Sequence, residues 1–396
     1  MRTGTANTYD KGLEQLLKRQ SDLAGKQEQL SSGKAVNRAS DDPIGAAQAE
    51  RATVRISRVA TDQRALEVQR NAIASAESTL GQATSLMQSA RDLVITAGNA
   101  AYSADQRGIL ARQMASQRDQ LLTLANASDS NGVPLFGSLG SAGTPFVDAA
   151  AGVQLQAVPG QRASTATALP GAMDGQAVWM DVQSGNGVFE TALGSGNSGS
   201  AWTDAGSVLV PAALTGNNYT ISFNVAAGVT TYDVVNTSSA TTVASGQAYK
   251  DGTPIQFDGL SVVAHGTPAS GDTVTLAPST RTNVFKLLDD AIASINQAPA
   301  GNKLSQSVAL ALAQFDSALD RLQGARSQAG VWLNRADSIT SAQEAKTITL
   351  EAERSRAQDL DMVKGISDFN LQNTGYQAAL QSYAQIQKLS LFNYIN

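Results

Sequence analysis

Val59, Leu66, Ile73, Leu80, Met87 and Val94 recur every seven residues, and Ala76, Ala83, Ala90 and Ala97 interleave with them at spacings of three and four. A large residue alternating with alanine along one seam predicts a long helix that a second helix can approach closely. A matching seam stands near the other end of the chain, in Val308, Leu312, Phe315, Leu319, Leu322, Ala329 and Leu333, with Arg326 as a polar interruption. The last stretch continues it through Met362, Ile366, Phe369, Tyr376, Leu380 and Tyr383. At the beginning, Leu13, Leu16, Leu23 and Leu30 repeat the pattern, with Gln20 and Gln27 at the remaining seam positions. A single such helix is the ordinary amphipathic face of a globular bundle. Heptads at both ends predict more: the two ends pack together as a long antiparallel helical rod or coiled coil. Its expected core is Leu66, Ile73, Leu80, Met87 and Val94 against Leu312, Phe315, Leu319 and Leu322.

Local stop signals place the breaks. Gly33 ends a first helix, making 31–41 a short connector. In Ser40-Asp41-Asp42-Pro43, Asp42 is placed to cap the first amides of the next helix, and Pro43 fits its first position without losing a bond. Pro299, Gly301 and Asn302 predict a break between Ile295 and Leu304, and Asn131-Gly132 with Pro134 closes the N-terminal helical region.

Composition separates the middle from the ends. Of 29 basic residues, 16 lie in 1–140, 2 in 141–280 and 11 in 281–396, while the 34 acidic residues split 14, 9 and 11. The ends are charge-dense and nearly balanced, and the middle is sparse in charge and acidic. Gly and Pro also concentrate in the middle. Such a segment reads as a disordered linker or as short strands joined by turns. The runs AVWMDV, NYTISFNV, TTYDVV, PIQF and LSVVAH favour strands. The expected fold class is thus α+β and multi-domain, a helical rod formed by both chain ends with an inserted, mainly β domain. The division is 1–40, 41–160, 161–280, 281–355 and 356–396, with 161–280 as the β-rich part.

Several chemistries drop out. The chain of 396 residues has no Cys, which excludes thiol catalysis, Cys-ligated metals and disulfides. His265 is its one histidine, so a triad or a multi-His metal site within the chain is excluded as well. A net charge of −5 without a basic domain argues against nucleic acid. No apolar run reaches membrane-span length, and MRTGTANTYDKGLEQ lacks the apolar core of a cleavable signal peptide, so a secreted destination needs another export route. Gly194, Gly196 and Gly199 match GxGxxG, but the following SAWTDAGSV has no helical period to hold a pyrophosphate. His265 reads as a strand-end residue. The adjacent acids Asp41-Asp42 and Asp289-Asp290 diverge on a helix and make no acid–base pair. Arg51, Arg55, Arg58, Arg64 and Arg70, with Glu50, Asp62 and Glu67 among them, read as a solvated or interface face with ion pairs. No catalytic, cofactor or metal site is expected, and no enzyme.

Residues 30–47, LSSGKAVNRASDDPIGAA, resemble the N-terminal signature of the bacterial flagellin superfamily, and the Ser-Asp-Asp-Pro form is similar to the branch that joins hook to filament. AALQSYAQIQKLSLFNYIN at 378–396 resembles that branch's C-terminus. NGVPLFG at 131–137 and the stretch from Phe257 to Ile292 resemble the exit from and return to the helices. The resemblance implies a structural part of the flagellum, a junction ring that serves motility, exported by the flagellar type III pathway without a cleaved signal. Implied partners are other copies in a ring, the upstream hook-associated protein, flagellin and an export chaperone, with no nucleic acid and no membrane. The segments 1–40 and 356–396 are then expected to pair and join an inner tube on assembly, with about 1–35 and 365–396 unfolded in the free subunit. The implied assembly residues are Leu13, Leu16, Leu23, Leu30, Phe369, Tyr376, Leu380, Tyr383, Ile386 and Leu389. Two other readings stand beside it: a filament-forming flagellin with the same helices, and a secreted carbohydrate-active or adhesive protein with a helical stalk. The adhesin needs a concave aromatic site, and the middle offers only Trp179 and Trp202, far apart in sequence.

Overall fold

A computed structural model of the chain describes residues 5–140, 143–297 and 301–392, with side chains from 10 to 385. Among the described residues six helices carry the two ends: α1 (Thr5–Ser32), α2 (Pro43–Ala97), α3 (Ala104–Ala125), α4 (Val284–Gln297), α5 (Asn302–Gln358) and α6 (Met362–Phe392). The chain divides into two compact units, 1–64 with 339–396, and 65–338. α2 and α5 each contribute residues to both.

In the larger unit α2 and α5 lie antiparallel. Arg70 pairs with Asp337 at 3.5 Å, Glu77 with Arg326 at 2.5 Å and Arg91 with Asp316 at 2.8 Å, one partner rising in number as the other falls. Leu66, Ile73, Leu80, Met87 and Val94 are all buried, as are the interleaved Ala76, Ala83, Ala90 and Ala97. On α5, Phe315, Leu319 and Leu322 are buried and Leu312 is partly buried against the same core. Arg326 does not interrupt the seam. The buried positions step from Leu322 to Ala329 and Ala336 with Ala325 packed between, which leaves Arg326 one position round the helix, exposed and holding Glu77.

The N-terminal helical region is not continuous, a break the seven-residue pattern missed. The chain turns at 98–103, and Ser103 opens α3 through a capping box with Gln106. α3 and α4 then pack on each other as a second helical layer over α2 and α5. Gly98 is needed at the turn because a Cβ there would stand 3.1 Å from Val308. Of the break expected before Leu304, Pro299 lies outside the described residues, while Gly301 stands at φ +112 and α5 starts at Asn302.

Among the described residues, thirteen short strands fill the middle. β1 (Phe146–Ala149) and β2 (Gly152–Leu155) form a hairpin, and β3 (Val182–Gln183) pairs with β13 (Arg281–Thr282) where the chain leaves and re-enters the helices. The main sheet is antiparallel in the order β4-β12-β7-β8-β9, from β4 (Phe189–Leu193), β7 (Tyr219–Ala226), β8 (Val229–Asn236), β9 (Thr241–Ala248) and β12 (Thr273–Pro278). Beside it, β11 (Leu260–His265) pairs with β5 (Trp202–Thr203), β6 (Ser207–Val208) and β10 (Pro254–Phe257). Alternate side chains from both sheets, among them Phe189, Tyr219, Ile221, Val262 and Leu276, form a core separate from the helical one.

This core moves the expected β-domain boundary. Within 161–182, Met173, Val178, Trp179 and Val182 are buried in the helical core, and Trp179 stacks on Phe285 at 6.0 Å and meets Phe136 edge-on at 5.4 Å. The hairpin β1–β2 also joins the helices, because Phe146 and Val153 enter the same core. The β-fold proper thus starts near 182 instead of 161.

Over the described residues α1 and α6 are helical and pack against each other.

Candidate functional site

The smaller unit is built around a joint. Gly33, at φ +69, ends α1, and its carbonyl accepts from the Leu360 amide at 2.9 Å. The amides of Ala35 and Val36 donate to the Gln358 carbonyl at 2.8 and 3.2 Å. The connector between α1 and α2 is thereby bonded to the connector between α5 and α6. Asp41 and Asp42 divide the work inside it. Asp41 accepts from the Asn37 and Arg38 amides at 3.1 and 2.8 Å, closing the loop on itself. Asp42 accepts from the Ile44 amide at 3.0 Å and caps α2, with Pro43 at its first position as the sequence predicts. Asp361 caps α6 in the same way, accepting from Val363 and Lys364 at 3.1 Å. Gly45 has no room for a side chain, because a Cβ would stand 2.9 Å from the Ala357 carbonyl.

From this joint α1 and α6 run side by side in opposite directions. A Cβ on Gly365 would meet Leu30 at 3.2 Å, one on Gly375 would meet Arg19 at 3.1 Å, and one on Gly12 would meet Tyr383 at 3.3 Å. The contact is close because small residues line it. Leu16 is buried, and Leu23, Leu30, Phe369, Tyr376 and Tyr383 are half-buried. The remaining apolar residues face solvent. Leu13 and Leu380 are exposed, and so are Leu17, Met362, Ile366, Val363 at 82% and Leu371 at 74%. The expected assembly residues thus divide into a seam within the chain and an outward stripe. Ile386 and Leu389 have side chains outside the described residues. The sequence reading missed Val363 and Leu371 because they sit off the seven-residue register, and it missed Gly12, Gly365 and Gly375 because it sought large residues only.

The remaining candidate chemistry falls into structural roles. Gly194, Gly196 and Gly199 lie in the loop between β4 and β5, with no helix after them. His265 ends β11 and stacks on Trp202, ring centroids 4.6 Å apart, with Asp251 at 3.7 Å. Trp179 is fully buried, so it and Trp202 form no common aromatic surface. Asp289 holds Arg118 at 3.1 Å and Asp290 holds Lys286 at 2.8 Å, so the two acids do diverge. Of the arginine row, Arg70 has its ion pair with α5, not with Glu67 on its own helix. Among the described residues, no three His, Cys, Asp or Glu side chains gather as a metal site, and no helix is long and apolar enough to cross a membrane.

Comparison with known proteins decides what the paired ends belong to. The bacterial flagellin N-terminal helical region matches residues 5–139, and the bacterial flagellin C-terminal helical region matches 312–395. The chain belongs to the bacterial flagellin family. Within it, the chain is 23% identical over 406 residues to flagellar hook-associated protein 3 of Escherichia coli, covering 99% of both. It is 34% identical to flagellar hook-associated protein 3 of Salmonella typhimurium over 161 residues, which span 38% of this chain and 48% of that protein. The crystal structure of the flagellar junction protein from Legionella pneumophila superposes with a TM-score of 0.67 at 28% identity, covering 73% of this chain and 99% of that one. The flagellin-family regions coincide with α1–α3 and most of α5–α6, and the family models leave the β-fold between them unmatched.

Proposed function

We propose that this chain is a structural subunit of the bacterial flagellum, placed at the junction between hook and filament. The observation that carries the reading is the end-to-end likeness to a hook-associated protein 3, over 99% of both chains, in a member of the flagellin family. The geometry supports a mechanical role. A helical pair that leaves Leu17, Val363, Ile366 and Leu371 in water has apolar surface that neighbouring subunits would cover. In this reading copies of the chain form a ring between the upstream hook-associated protein and the first flagellin subunits, and the terminal pair joins the inner tube. Export would follow the flagellar type III route, with a chaperone covering the terminal stripe beforehand and no leader removed. The finished location is the extracellular flagellum, and the role needs no catalytic group.

The test is labelling with gold-conjugated antibody on intact flagella. A band at the hook–filament boundary supports the junction. Label along the whole filament favours a filament-forming flagellin, and absence from flagella sinks both.

A further inference from the structure

In the smaller unit the two-helix stem made by α2 and α5 carries exposed arginines on one side and exposed glutamates on another, and the groove holding Glu50 and Asp359 also holds Lys34, Arg38 and Arg354. Arg51, Arg55 and Arg356 line one groove of about 330 Å³, and Arg58 continues the row beyond it. All four are exposed, and among the described residues none has an ion-pair partner. Glu353 in the groove and Asp62 beyond it are the acids on this side, against the four arginines and Lys346. Glu344 and Glu351, also exposed and without an ion-pair partner, point elsewhere. At 100° per residue they stand about 120° and 140° round α5 from Arg356. On that helix Arg354 stands three residues from Glu351, and Lys346 two residues from Glu344.

The levels of these charges match. Gly45 of α2 meets the carbonyl of Ala357 of α5, and the helices are antiparallel. Counting six residues onward from Gly45 and six back from Ala357 puts Arg51 level with Glu351. Seven more in each direction put Arg58 level with Glu344. Both pairs of charges are thus separated by about 10.5 Å along the stem, one heptad at 1.5 Å per residue.

We propose that neighbouring copies of this chain meet side by side through these two rows, Arg51 of one copy against Glu351 of the next and Arg58 against Glu344. The proposal rests on the reading that copies form a ring. The two rows are different patches, so the contact is heterologous and repeats round a ring in place of closing as a two-fold dimer. Opposite rows attract, and two copies turned alike face to face are repelled.

The test uses full-length chains in a motile bacterium lacking its own copy of this gene. Arg51→Glu with Arg58→Glu should cut the chain recovered on isolated flagella at least tenfold, while leaving its melt unchanged. Adding Glu344→Arg and Glu351→Arg should restore recovery to within twofold. Because the chain has no Cys, an Arg51→Cys chain co-expressed with a Glu351→Cys chain should form a disulfide-linked dimer on flagella only when both are present. Normal recovery of the double-glutamate chain, a folded four-fold variant that stays off flagella, or no dimer between co-assembled cysteine chains would each overturn the contact. Absence of the unaltered chain from flagella would instead overturn the junction reading, and the contact with it.

Discussion

Gln306, on the first turns of α5, accepts a hydrogen bond from the Thr203 backbone amide at 2.6 Å, and both residues are buried. Its amide nitrogen donates to the Thr191 hydroxyl at 3.2 Å. One helical side chain therefore satisfies polar groups on β4 and β5, within the larger unit. Gln306→Ala should leave the Thr203 amide without a partner and cost about 1–3 kcal/mol. The amide of Thr203 should then exchange measurably faster with deuterium than those of the β7–β8 ladder. Equal protection in mutant and parent would show that the glutamine does not hold the sheet.

Leu80 is fully buried in the core that α2 and α5 share. Leu80→Ala should cost about 2–5 kcal/mol, because close packing limits collapse around the cavity. Arg91, whose pair with Asp316 is partly exposed, should change stability by less than about 1 kcal/mol when replaced by Ala. Thermal melts of the two variants against the parent check both figures.

The sheet core sets the limits of an independent β fragment. A fragment spanning 182–282 keeps β3, β13 and all of β12, and should show a cooperative β-type melt. One spanning 165–275 cuts through β12, losing the buried Leu276 from the sheet centre, and should not. Circular dichroism of the two fragments distinguishes them.

Arg118 is a nearly buried cation held by Asp148 and Asp289, and its hydrogen bonds to Asp148 keep that carboxyl below its ordinary value of 3.8. A carboxylate with a depressed folded pKa contributes stability above its unfolded pKa and loses it as pH falls through the folded value. The parent should therefore lose stability progressively below about pH 4, and Asp148→Asn should flatten that part of the profile. Urea midpoints between pH 2 and 7 measure the slope; parallel profiles would remove Asp148 from the account.

What was legible in the sequence was local. A seven-residue recurrence from Val59 to Val94 is a statement about one face of a helix, and burial followed it residue by residue. Gly33 and Asp42-Pro43 act within a few bonds of themselves, so the connector and cap stood where the sequence put them. The failed GxGxxG match was equally local, since no helical period follows it.

Tertiary structure decided whatever depends on what lies opposite. Leu13 and Leu16 are three residues apart on one helix, and only the position of α6 makes one exposed and the other buried. Trp179 sits in a strand-like sequence run, AVWMDV, yet it lies in a helical turn (Gln176–Met180) that Phe136 and Phe285, about forty and a hundred residues away in sequence, draw into the helical core. Arg118 finds its acids 30 and 171 residues along the chain. The level match of Arg51 with Glu351 follows from a glycine set against a carbonyl on the other helix. Periodicity reports which face of an element is apolar; it carries no information on which surface will cover that face, because that is settled by contacts between residues far apart in the chain.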